Sequence, residues 1–215
     1  ILGNFTFEAA KHLFISTGYD LCNYPWLKYR TSFPSMTKKY EIKLRYLPDD
    51  NANYEISWNH KYSLSDSQTG RGIAGWKETD ATTIKTLMRF NLMDKISLNT
   101  RIDYKWISQT GSRGIVMAQD LAYKFAGIPV SIWTRFCVYN TDDWESRIYM
   151  YENDLLYSFS IPAYSGKGTR SFIMFKWDIG AMAELRVKYG LTSLSGSVDS
   201  QTQADELKVQ FNIRF

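Results

Sequence analysis

The chain's last ten residues, Glu206 to Phe215, alternate without a break. Leu207, Val209, Phe211, Ile213 and Phe215 are apolar, and the residues between them are polar or charged. A period of two is the mark of a β-strand with one oily and one wet face. Ten residues is also about the length that carries a tilted strand across a bilayer. A closing strand of this kind, ending on an aromatic residue, resembles the C-terminal assembly signal of bacterial outer-membrane barrels. Phe211, Ile213 and Phe215 would carry that signal.

The pattern recurs. Tyr40, Ile42, Leu44 and Tyr46 alternate with charged residues, as do Leu185, Val187 and Tyr189; Tyr54 to Leu64 and Ile96 to Trp106 alternate with polar and charged ones. No helical stripe appears, and no run approaches the 18 apolar residues of a membrane helix. Strands are expected near 4–17, 24–34, 38–47, 53–65, 80–92, 96–107, 114–125, 130–139, 146–151, 155–163, 170–179, 183–193 and 205–215. The connections alternate in length. Met93–Lys95, Ala126–Pro129, Glu152–Asp154 and Gly180–Ala181 are tight, whereas Ser65–Asp80, Ser108–Arg113, Asn140–Ser146, Tyr164–Thr169 and Leu194–Asp205 are longer. Outer-membrane barrels sort their loops this way, with short periplasmic turns and long extracellular loops.

A soluble barrel or sandwich binding protein also alternates, with its oily face inward. Strand length separates the two, because soluble strands average about five or six residues and several here are longer. Aromatic placement agrees: Tyr40, Tyr46, Tyr62, Trp106, Phe125 and Phe215 fall near strand ends on the oily face, as in an interfacial girdle. The expected fold is therefore all-β, an antiparallel up-and-down transmembrane β-barrel with about 12–14 strands in residues 1–215, located in the outer membrane of a Gram-negative bacterium. An odd count of thirteen conflicts with the even number of bacterial single-chain barrels. That conflict, with the start at Ile1, raises the expectation that the barrel is the C-terminal part of a longer chain. The edge at 4–17 would then pair with upstream residues or another envelope subunit, not with 205–215.

The segment from Trp144 through Glu145-Ser146-Arg147-Ile148-Tyr149-Met150-Tyr151-Glu152-Asn153-Asp154 to Tyr164 resembles the C-terminal barrel of a large family of Bacteroidota outer-membrane proteins. In that family a helix-hairpin-helix region precedes the barrel. The resemblance is clearest over residues 140–215. It implies an outer-membrane location and supplies no catalytic residues.

Chemistry-bearing motifs are sparse. Neither His12 nor His60 has the partners of a barrel hydrolase or a metal site, and His60 lies on an apolar strand face. Ser165-Gly166-Lys167-Gly168-Thr169 lacks the spacing of a phosphate loop and reads as a hairpin loop. Cys22 and Cys137 form no metal or redox motif. No cofactor, metal or catalytic residue is expected. The net charge of +4 is evenly spread, which argues against nucleic acid.

One constellation remains. Lys39, Lys43, Arg45, Lys61, Lys85, Arg89, Arg101, Lys105, Lys124, Arg135, Arg186, Lys188, Lys208 and Arg214 have lumenal parity, against Glu41, Glu55, Asp103, Asp120, Glu184 and Glu206. Cross-strand ion pairs filling a closed lumen explain such a face, and so does a basic pore that favours anions. The first is preferred. The expected function is a non-enzymatic structural, assembly or anchoring subunit of an envelope complex, with a porin-like channel for anionic solutes as the alternative. The expected partners are outer-membrane lipid and the barrel-assembly machinery.

Overall fold

A computed structural model describes residues 1–27, 31–68, 74–93, 95–180, 182–195 and 201–213. The sequence-predicted Arg214 and Phe215 lie outside these, as do Asp94, Ala181 and parts of the 24–34, 65–80 and 194–205 segments. The described residues form thirteen strands: β1 (Leu2–Ala10), β2 (Leu13–Tyr24), β3 (Ser35–Asp49), β4 (Ala52–Gln68), β5 (Ala74–Leu92), β6 (Ile96–Ile107), β7 (Arg113–Lys124), β8 (Val130–Thr141), β9 (Ile148–Tyr149), β10 (Ala163–Tyr164), β11 (Lys167–Ile179), β12 (Ala183–Ser195) and β13 (Gln201–Ile213). Eleven of them form one antiparallel sheet in the order β1-β2-β3-β4-β5-β6-β7-β8-β11-β12-β13. β1 and β13 are its two edges and are not paired with each other.

The wall is inside out relative to a soluble fold. Along β7, Ile115, Met117 and Leu121 are exposed, while Gly114, Val116 and Ala118 are buried. Register carries that facing across the sheet: Ile102 pairs with Met117, Leu98 with Leu121, and Val187 with Val209. The outward residues of β5 from Thr82 to Leu92 are all uncharged. They span about 33 Å of strand, or about 25 Å once a strand tilt near 40° is allowed for, the height of a barrel's apolar band. Gln119 is the polar exception on β7, and its amide is satisfied: it accepts from the Thr100 hydroxyl at 2.6 Å and donates to the Asp120 carbonyl at 3.1 Å.

Aromatic residues mark both borders of the band. At one, register aligns Gly3, Tyr19, Tyr40, His60, Thr82 and Trp106 in a row across six strands. His60 stacks on Trp58 and Tyr40 and sits 3.2 Å from the Thr82 hydroxyl, an interfacial setting. Gly3 leaves room for the Tyr19 ring in this row: a Cβ there would stand 2.4 Å from the ring and would turn it aside. At the other border Tyr46 stacks on Tyr54, which meets Phe90 edge-on, and Tyr123 packs against Phe125.

Four expected elements differ. The expected strand 24–34 is absent from the wall: β2 ends at Tyr24, β3 starts at Ser35, and the described residues between them, 25–27 and 31–34, form no strand. Residues 4–17 are not one strand but a hairpin, turned at Lys11–His12, where His12 adopts a positive φ of 65° and its N–H donates to Glu8. The expected long loop Ser65–Asp80 is largely strand, since β4 and β5 stay paired from Gln68↔Ala74 inward. Residues 146–151 and 155–163 are not wall strands: β8 pairs directly with β11, and the chain between them folds onto the concave face. The tight turn expected at Glu152–Asp154 therefore lies in the lumen, not at the periplasmic rim.

A charge in the band tests this facing. Ile102→Arg should cost about 2–4 kcal/mol at mid-bilayer, read as a lower urea midpoint for unfolding from lipid vesicles. Thr83→Arg, on the concave face, should leave the midpoint close to that of the unmodified chain.

Candidate functional site: a plug clamped into the lumen

Between β8 and β11, residues 142–166 carry Asp142, Asp143, Glu145, Glu152 and Asp154 against a single cation, Arg147. Their target is the basic concave wall. Asp143 builds the entry turn: its carboxylate accepts from the Glu145 and Ser146 backbone N–H groups and from the Ser112 hydroxyl. Those bonds outweigh the upward push of burial, so the Asp143 carboxyl is held below its ordinary range. The Ser146 backbone then passes so close to β7 that a Cβ on Gly114 would meet its carbonyl oxygen at 2.3 Å. Glycine at 114 is thus what lets the segment descend.

The descending chain forms the short ladder β9–β10, continued by a bridge between Glu152 and Ser160. Its even-numbered residues Ile148, Met150 and Glu152 are buried against the wall, and its odd-numbered Tyr149 and Tyr151 are exposed to the lumen. Ile148, Met150 and Tyr164 join Val116, Ala118, Cys137 and Tyr139 in one apolar cluster. Val116, Ile148 and Met150 each contribute roughly 1.5–3 kcal/mol by their burial.

Glu152 is the deepest fixed point. Its carboxylate is fully buried and accepts from Arg170 through two N–H groups, at 2.7 and 2.8 Å, and from Lys188 at 2.7 Å. Lys188 also donates to the Asn153 carbonyl at 2.7 Å and lies 4.6 Å from the centre of the Phe172 ring. Asp154 receives Lys208 at 2.8 Å. Gln210 exchanges two bonds with the Leu156 backbone, Arg135 donates to the Tyr151 carbonyl while gripping Asp120, and Lys105 donates to the carbonyls of Glu145 and Arg147. Burial pushes both plug carboxyls up, yet the cations outweigh it, and Glu152 and Asp154 are both held below the ordinary carboxylate range.

The sequence-predicted lumenal charges divide between two environments. Lys105, Arg135, Lys188 and Lys208 meet the plug. Arg101 pairs with Asp103 at 2.6 Å, Arg186 with Glu184 at 2.6 Å, Arg45 with Glu55 at 3.1 Å and Lys43 with Glu55 at 3.6 Å, all within the wall. Lys61 lines a cavity beside the plug, and Arg89 is exposed on β5. Phe211 and Ile213 are exposed on the outward face of β13. Arg170, Glu152, Asp154 and Tyr164 were absent from the expected set. Cys22 and Cys137 are free thiols, and no three His, Cys, Asp or Glu side chains among the described residues gather as a metal site.

No described protein family matches the sequence, and no curated protein does. The structure is similar to that of the copper transporter OprC, with a TM-score of 0.56 and 10% identity over 93% of this chain and 38% of that one. OmpT, an outer membrane protein of Vibrio cholerae, aligns with a TM-score of 0.46 at 10% identity over 99% of this chain and 62% of its own. The chain spans less than two thirds of either protein. Its fold is that of an outer-membrane β-barrel, and that fold with its uncharged outward band places it in an outer membrane.

Removing one partner from a buried ion pair leaves the other uncompensated, at about 3–5 kcal/mol. Glu152→Gln should therefore loosen the plug while the wall stays folded, and cleavage by chymotrypsin at Tyr157, already 96% exposed, should speed up. Acid should do the same to the unmodified chain. Depressed carboxyl pKa values stabilise the docked state above the ordinary carboxylate range, and that stabilisation is lost as pH falls from about 4 through the lower docked values. Cleavage rates followed from pH 7 to pH 3 in an acid-active protease would check it; a flat profile would contradict it.

Proposed function

We propose that this chain is a non-enzymatic outer-membrane barrel wall, occluded by its own 142–166 segment, that serves as a structural or anchoring part of an envelope assembly. The buried Glu152–Arg170–Lys188 clamp carries this reading. A porin needs a lumen that is open, whereas here Arg170, Lys188 and Lys208 are spent on holding a loop across it. The short turns would face the periplasm and the 142–166 segment would enter from the outside. The resemblance of residues 140–215 to the Bacteroidota barrels is consistent with this placement.

The two edges give the assembly role its physical motive. Unpaired N–H and C=O groups of β1 and β13 would cost several kcal/mol each in hydrocarbon. Spanning strands from the same polypeptide or from another envelope subunit would satisfy them. The alternative, a channel for anionic solutes, draws on the part of the concave face of β3–β5 beyond the plug's contact at Lys77, where Lys39, Arg45, Lys85 and Arg89 are exposed.

Conductance separates the two. In planar bilayers the unmodified protein should be nearly silent, and the double variant Glu152→Gln, Asp154→Asn should open a conductance several-fold larger. A large, anion-selective conductance without any substitution would favour the channel and defeat the occluded reading.

A further inference from the structure

Beside the plug, the concave face of β1–β6 lines an open cavity of about 650 Å³, within the range of small-molecule sites. Its acids are already matched. Asp20 receives Lys39 at 3.1 Å, Asp103 receives Arg101 at 2.6 Å, Glu145 receives Lys77, and Glu41 lies 3.6 Å from Lys43. Three of its cations form no ion pair with a described carboxylate. Lys85 makes no ion pair or hydrogen bond with any described residue. Lys105 forms no ion pair with a described residue and donates to the Glu145 and Arg147 carbonyls. Arg147 lies against the rings of Trp144 and Tyr149, 4.4 and 5.3 Å from their centres, and donates to the Trp144 carbonyl and the Tyr149 hydroxyl.

Lys85 and Lys105 are close neighbours, since Lys85 pairs across strands with Asp103 and Lys105 with Thr83. Lys105 reaches the backbone carbonyl of Arg147, and both residues line the cavity, so wall and plug each bring a cation to it. The rest of the lining suits a hydroxylated ligand: Asn59, Ser63, Thr79 and Thr83 offer amide and hydroxyl groups, and Tyr149 offers a half-exposed ring. An apolar ligand would leave those groups unpaired, at about 1–3 kcal/mol for each one buried.

We propose that this cavity binds a monosaccharide-sized anion, a sugar phosphate or a sugar acid. Lys85, Lys105 and Arg147 hold its negative group, and Tyr149 supports its ring. The site rests on the docked plug, which supplies Arg147 and Tyr149; it requires no conduction, so a failure of sugar binding leaves the conductance test of the occluded reading untouched.

Titration calorimetry on the purified full chain tests it, with glucose 6-phosphate, glucuronate and glucose as probes. Saturable binding of either anionic sugar, weakened by added salt and with glucose much weaker, is the expected result. Glucose 6-phosphate binding and glucuronate binding, compared, tell phosphate from carboxylate. Lys85→Gln and Arg147→Gln should each weaken binding roughly tenfold or more, as loss of a charge-assisted bond requires. Lys85→Gln sits on an exposed wall position and leaves the plug contacts intact, so it reports on binding without unfolding. The proposal is overturned if neither anionic sugar binds saturably, if glucose binds as tightly, or if both substitutions leave the affinity unchanged.

Discussion

Hydrocarbon cannot hydrogen-bond, and everything in this molecule follows from that. Each backbone N–H and C=O at bilayer depth needs a partner in the protein. An antiparallel sheet supplies those partners between neighbouring strands, and the pleat then forces side chains to alternate between lipid and lumen. Burial is inverted as a result. The packed interior does not lie between two layers of wall. It lies between the wall's concave face and a loop, where Val116, Cys137, Met150 and Tyr164 meet.

That arrangement explains the charge imbalance of the lumenal face. A wall whose cations outnumber its anions would repel itself across a low-dielectric interior. Cross-strand pairs such as Arg45–Glu55 and Arg135–Asp120 neutralise part of the excess. The remainder is met by a segment that is itself strongly acidic. Apolar contacts supply most of the docking energy, because buried ion pairs roughly repay their own desolvation. The ion pairs set where the segment comes to rest: Glu152 fits only where Arg170 and Lys188 converge.

The wall strands were legible because a half-lipid, half-water strand can hardly avoid a period of two. The plug was not, for the same reason. Ile148, Met150 and Glu152 face one way, and Tyr149 and Tyr151 the other, so the segment reads as one more wall strand. Periodicity reports an extended chain with two unlike faces; it does not say which sheet the strand joins. A subtler signal was present: five carboxylates and one guanidinium over residues 142–166, in a chain whose other lumenal positions are mainly basic. The 4–17 segment was misread because Ala9-Ala10 and Lys11 hide a two-residue turn without glycine, made possible by His12 in a left-handed conformation.

The sheet's edges have a consequence of handedness. With eleven strands in alternation, β1 and β13 run in the same direction. Brought together they would form a parallel seam, and two copies side by side around an axis normal to the membrane would form two such seams. Only an odd number of inserted strands restores alternation all the way round. Whatever adjoins these edges is therefore constrained in parity before it is constrained in sequence.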